Sequence, residues 1–142
     1  FEPHYTEITA ADQVQIYENI MQDVNGNVTT ALLLASTYAK DNRLLPSGFD
    51  KAAATANIAV RGEATEDGDF LGSGDTIHYG IKLDDTSAPL TVKVELLYQS
   101  IGYRWAQNLG EQPSPAVNDF LRYYDGTPNI PVVIASQEIT IP

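Results

Sequence analysis

Glu66, Asp67, Asp69 and Asp75 crowd four carboxylates into ten residues, and Gly68, Gly72 and Gly74 bend the chain between them. Hard oxygens on such a loop are what calcium takes, and the spacing of Asp67 and Asp69 lets two side chains converge on one ion. Asp67, Asp69 and Asp75 are therefore the candidate metal ligands, with Ca2+ as the ion. The pattern does not match a complete EF-hand, which needs Gly at its sixth position and a bidentate Glu at its twelfth. The plainer reading is a run of solvated turn formers. Asp23, Asn25 and Asn27 repeat the arrangement in weaker form.

The remaining chemistry-bearing residues are sparse. His4 and His78 are the only histidines, and neither has a second His three or four residues on, so no helix-borne metal pair exists. None of the serines sits in a Gly-x-Ser-x-Gly elbow. Tyr98, Tyr103, Arg104 and Trp105 could form an exposed aromatic platform for sugars, although strand aromatics more often fill a core, with an Arg covering a ring. No catalytic constellation emerges, so the chain reads as a non-enzyme. A hydrolase built on paired carboxylates ranks last among the alternatives.

Composition narrows the partners. Nineteen acidic against eight basic residues give a net charge of −11 over 142 residues, which argues against nucleic acid and against an anionic membrane surface. It suits a saline or extracellular setting, a cationic partner or a divalent metal. With no cysteine, disulfides, thiolate zinc sites and covalent haem attachment within this chain are excluded. No apolar run approaches the length of a membrane span. The start at Phe1, without a leader, reads as a processed protein or part of a longer one.

These residues need a scaffold, and the strongest periodicity lies between Leu90 and Trp105. Val92, Val94, Leu96 and Tyr98 alternate with Thr91, Lys93, Glu95 and Leu97, as in a half-buried strand. Ile77, Tyr79, Ile81 and Leu83 alternate likewise, and residues 84–89 would join the two as a hairpin or a sandwich corner. Earlier in the chain, Val14, Tyr17 and Met21 predict a helix from near Ala10, ended by the Asn25–Gly26 turn, and Thr29 to Lys40 predicts a second. Asp41 to Asp50 reads as an ordered loop anchored by Leu44, Leu45 and Phe49, and Ile58 to Val60 as the start of a strand. A short helix falls near 118–124, with strands at Ile130–Ile134 and Glu138–Ile141. The fold expected is mainly β: a single domain, 1–142, in which a helical N-terminal segment, 1–50, packs on an antiparallel immunoglobulin- or fibronectin-like sandwich, 57–142.

Three stretches carry a family likeness. The first runs from Gln13 through Glu18 and Met21 to Gly26, then Lys40 to Asp50 with Asn42, Arg43, Pro46 and Gly48. The second is Asp69, Phe70, Gly72, Gly74 and Asp75, and the third runs from Val94 to Leu109 through Gly102, Tyr103, Arg104 and Trp105. Together they resemble the C-terminal, non-haem region of bacterial multihaem c-type cytochromes and similar exported proteins. In such proteins haem is bound upstream through Cys-x-x-Cys-His motifs, none of which occurs here. The resemblance implies a non-catalytic structural or interaction module of a periplasmic or extracellular electron-transfer protein, docking the haem region or a cytochrome partner. It also makes His4, near the junction, a candidate axial ligand to an upstream haem c. The alternative expectation is a calcium-stabilised carbohydrate-binding or adhesion module.

Overall fold

A computed structural model describes residues 1–83 and 89–141. The chain divides into two compact units, Phe1–Ile81 and Lys82–Pro142. In the first, β1 (Glu7–Ile8) pairs in parallel with β4 (His78–Tyr79), and β2 (Asn19–Gln22) pairs antiparallel with β3 (Thr37–Asp41). The second holds β5 (Leu90–Tyr98), α1 (Tyr103–Gly110), α2 (Pro115–Gly126) and β6 (Val132–Ile141), with β5 and β6 antiparallel.

This corrects the expected sandwich. Among the described residues the strands pair two by two into three separate ribbons, and no pair of facing sheets closes over a core. The alternation from Val92 to Tyr98 does form a strand, but its partner is the end of the chain: Leu90 lies opposite Ile141 and Tyr98 opposite Val132. The strands expected at 130–134 and 138–141 are one strand that begins at Val132, because Ala135, Ser136 and Gln137 carry the ladder across the gap. Of residues 77–83 only His78 and Tyr79 are strand, held by N–H bonds from His78 to the Thr6 carbonyl and from Gly80 to the Ile8 carbonyl. Most of the expected turn at 84–89 lies outside the described residues.

The two N-terminal helices do not form either. Around residues 16–18 the backbone is satisfied by side chains from elsewhere in the chain, which replace an intrahelical ladder. The Ile16 carbonyl accepts from Lys40 Nζ and Asn42 Nδ2, and the Glu18 N–H donates to Asn42 Oδ1. In the second stretch one helical turn survives at Ala31 to Ala35. The chain then turns into β3, whose extra residue, Ala39, bulges between the Ile20–Lys40 and Met21–Tyr38 pairs. Leu32, Leu33 and Leu34 stay exposed at the tip, Leu33 completely.

The core of the first unit is small: Val60, Ala64 and Phe70, with Tyr17 and Leu45 packed against it. Its loops approach closely at Gly72, where a Cβ would lie 2.7 Å from the Phe49 nitrogen and 2.8 Å from both the Phe49 and Pro46 carbonyl oxygens. The Pro46–Phe49 loop therefore fits against the acidic loop only if position 72 lacks a side chain. Val60 precedes a single bridge between Asp41 and Arg61, not a strand.

In the second unit Trp105 lies on α1, not in a strand, and meets Phe120 of α2 edge-on at 6.0 Å. Gly102 caps α1 in an extended conformation. The helix expected near 118–124 is longer, because Ser114 accepts the Val117 N–H as an N-cap and Pro115 occupies the first turn, where its missing N–H costs nothing.

Candidate functional site

The polar residues of the first unit converge on His4. Its ring is fully buried and packs at 5.0 Å from Phe70. Nε2 lies 2.9 Å from Asp67 Oδ2 and 3.9 Å from Asp75 Oδ2. On the other side, Nδ1 receives Gln15 Nε2 at 2.9 Å and Asn42 Nδ2 at 3.0 Å.

Both amides are oriented by the backbone. Gln15 Oε1 accepts the Tyr5 N–H at 2.8 Å, and Asn42 Oδ1 accepts the Glu18 N–H at 2.9 Å. Their NH2 groups must then face His4, so Nδ1 is an acceptor and the ring proton sits on Nε2, donated to Asp67. His4 is a neutral donor. An iron or zinc ion could take Nε2 only by displacing this bond and relocating the proton to a nitrogen that already faces two donors.

Asp67 and Asp75 are both drawn inward. Burial works against the Asp67 carboxylate, but the bonds from His4 and from the N–H groups of Asp69 and Phe70 outweigh it and hold its pKa below the usual value. Lys51 Nζ caps the loop by donating to the main-chain carbonyls of Ala64 and Asp67. Asp75 Oδ2 accepts the Tyr17 hydroxyl at 2.7 Å and Gln15 Nε2 at 3.4 Å. Burial and this bond to Asp75 push the Tyr17 phenol well above its ordinary pKa.

Beside the site, Lys40 is wholly buried, with Nζ donating to the Glu2 and Ile16 carbonyls and to Glu18 Oε1. Burial pushes its pKa down, while the Glu18 carboxylate acts in the opposite direction.

Of the expected metal ligands, Asp67 and Asp75 come together with His4, and one ligand atom from each of the three lies within 4.8 Å of the others. Asp69 stands apart and exposed, its Oδ1 accepting the Thr76 N–H at 3.3 Å. In the Asp23 turn, Oδ1 of Asp23 accepts the N–H groups of Asn25 and Asn27, the bonding of a turn former. Tyr103 and Arg104 keep near each other, with the guanidinium 5.9 Å from the ring centre.

Gln15, Tyr17, Asn42 and Lys51 were not singled out by sequence as site residues. The every-second spacing of Gln15 and Tyr17 was the available signal, obscured by the apolar stripe that suggested a helix. An open cleft of about 310 Å³ borders Leu45, Phe49 and Val60, with the bidentate Arg43–Asp41 pair on its rim.

No family model, curated protein or solved structure matches the chain. Among the described residues no helix is long and apolar enough to cross a membrane.

Proposed function

We propose that this chain is a non-catalytic interaction module of an exported, periplasmic or extracellular, multihaem electron-transfer protein, docking its haem region or a partner. The observation that carries the docking role is the β5–β6 ribbon. Leu90, Val92, Val94 and Leu96 share one face with Ala135, Gln137, Ile139 and Ile141, apolar but for Gln137, while Thr91, Lys93, Glu95, Ser136, Glu138 and Thr140 share the other. Val94, Leu96, Ile139 and Ile141 are all exposed. A two-stranded ribbon is marginally stable by itself in water, and an exposed apolar face of this kind marks an interaction surface. The leucine tip of the first unit supports the same reading. The link to a haem protein rests on the family resemblance of the Asp41–Asp50 and Val94–Leu109 stretches.

The test is the intact mass and visible spectrum of the protein from its native source before any proteolysis. A larger species with a haem Soret band is expected, and a colourless species of about this chain's mass overturns the electron-transfer assignment. A docking role for the ribbon fails separately if Val94→Glu leaves attachment to the haem-bearing region unchanged.

A further inference from the structure

Asp75 has one oxygen that nothing among the described residues satisfies. Its side chain is 1% exposed, and Oδ1 has no hydrogen-bond partner, whereas Oδ2 takes Tyr17 and Gln15. A buried carboxylate oxygen without a donor is costly, so the site calls for positive charge or a strong donor at that point. The nearby groups do not supply it. Lys51 Nζ is engaged by the carbonyls of Ala64 and Asp67, and Lys40 by those of Glu2 and Ile16 and by Glu18. His4 is neutral, with its one N–H turned to Asp67. A second carboxylate, Asp67, faces the same imidazole nitrogen, Nε2, and one ligand atom from each of His4, Asp67 and Asp75 lies within 4.8 Å of the others.

We propose that Asp67 and Asp75 together bind a hard divalent cation of the calcium class, with Asp75 Oδ1 as its open ligand and His4 as a positioning residue that holds the Asp67 carboxylate in place. The two amides decide the class of metal. A zinc- or iron-type ion would use the Nε2 lone pair of His4, and the ring would then carry its proton on Nδ1. Gln15 and Asn42 both direct N–H groups at Nδ1, and turning either would set an NH2 against the N–H of Tyr5 or Glu18. Nitrogen ligation is therefore disfavoured, and the oxygens of the two carboxylates remain. Asp67 accepts His4 on Oδ2 and the Asp69 N–H on Oδ1, with the Phe70 N–H also bonding the carboxylate, and its two oxygens, with about four acceptor sites between them, keep lone-pair capacity for a cation. Asp69 is not a ligand in this arrangement. The proposal is independent of the docking role, since all its residues lie in the first unit.

The full chain, stripped with chelator, is titrated with calcium, magnesium or zinc chloride while thermal unfolding is followed, and retained metal is counted after desalting. Calcium is expected to bind stoichiometrically and to raise the midpoint by ~5 °C or more at saturation. Asp75→Asn should abolish the shift and Asp69→Asn should preserve it. Equal midpoints in calcium and chelator, with no metal retained, overturn the proposal and leave a water as the partner of Asp75 Oδ1. Stabilisation by zinc but not calcium overturns the oxygen-only assignment and makes His4 a ligand. If Asp75→Asn fails to fold, the wild-type arms still decide.

Discussion

Asn42 holds His4 from behind: its Nδ2 lies 3.0 Å from the imidazole Nδ1 and also donates to the Ile16 carbonyl, while its Oδ1 accepts the Glu18 N–H. One fully buried amide thus ties the N-terminal arm, the segment before β2 and the end of β3 to a single ring tautomer. Asn42→Ala should lower the stability of the first unit by ~2–4 kcal/mol, because it takes the partner from the Glu18 N–H, removes one of two donors from His4 Nδ1 and from the Ile16 carbonyl, and leaves a cavity in the interior. Urea unfolding measures this loss, and a cost below ~1 kcal/mol would contradict the role assigned to Asn42. In the wild type, nitrogen NMR should show Nδ1 as the unprotonated nitrogen of His4.

Glycine 72 gives a sharper contrast. A methyl group there would press on backbone atoms of Pro46 and Phe49, which cannot move aside as a side-chain end can. Gly72→Ala should therefore destabilise the first unit by ~2 kcal/mol or more. Gly68→Ala and Gly74→Ala, where a Cβ meets open space, should stay within ~1 kcal/mol of wild type. Similar melting curves for all three variants would refute the close approach of these loops.

Phe70 is the largest apolar side chain among the fully buried residues, and it stacks with Tyr17 and meets the His4 ring at a tilt. In so small a core, Phe70→Ala should cost ~3–5 kcal/mol, enough to unfold a marginal unit. Loss of amide protection at Val60, Ala64 and His4 together in hydrogen exchange would be the signature; protection retained at all three would show that the core lies elsewhere.

Acid and alkali should act through different residues. Asp67 has a folded-state pKa below its ordinary value of 3.8, so its contribution is fully present above that value and is lost as pH falls through the lower, folded-state pKa. Asp67→Asn should flatten this part of the stability profile. Tyr17 is shifted the other way, above its ordinary 10.0, so its contribution is complete below pH 10.0 and declines as the pH rises further. Tyr17→Phe should remove that alkaline decline. Denaturant midpoints across pH 2–12 would test both, and an unchanged profile in either variant would disprove the corresponding assignment.

Much of the second unit was legible in the sequence. Val92 to Tyr98 declared a strand by alternation, and Asn118 to Tyr124 a helix by its apolar face, because each signal is local. Pairing was not legible. Leu90 to Tyr98 could match residues 77–83 or 132–141 equally well by pattern, and long-range register carries no local mark. In the first unit the helical stripe on Val14, Tyr17 and Met21 misled because distant side chains, Lys40 and Asn42, supply the partners that a helix would have found within itself. Of the three aspartates that the acidic loop suggested, Asp67 and Asp75 come together beside His4. That His4 turns in depends on its contact with Asp67, 63 positions away, which spacing cannot express.

The β5–β6 ribbon changes character along its length. Leu96 pairs with Ala135 and Leu97 with Val133, so Ile134 is an extra residue that shifts the register. Before this bulge one face is apolar but for Gln137 and the other polar; beyond it Leu97 and Val133 carry apolar surface onto the side that Thr91, Lys93 and Glu95 had kept wet. A flat neighbour could dry the long one-sided part of the ribbon but not its end. Whatever sheathes this module completely must fold around that end like a clasp, and its own shape is to that extent already written in the position of a single unpaired isoleucine.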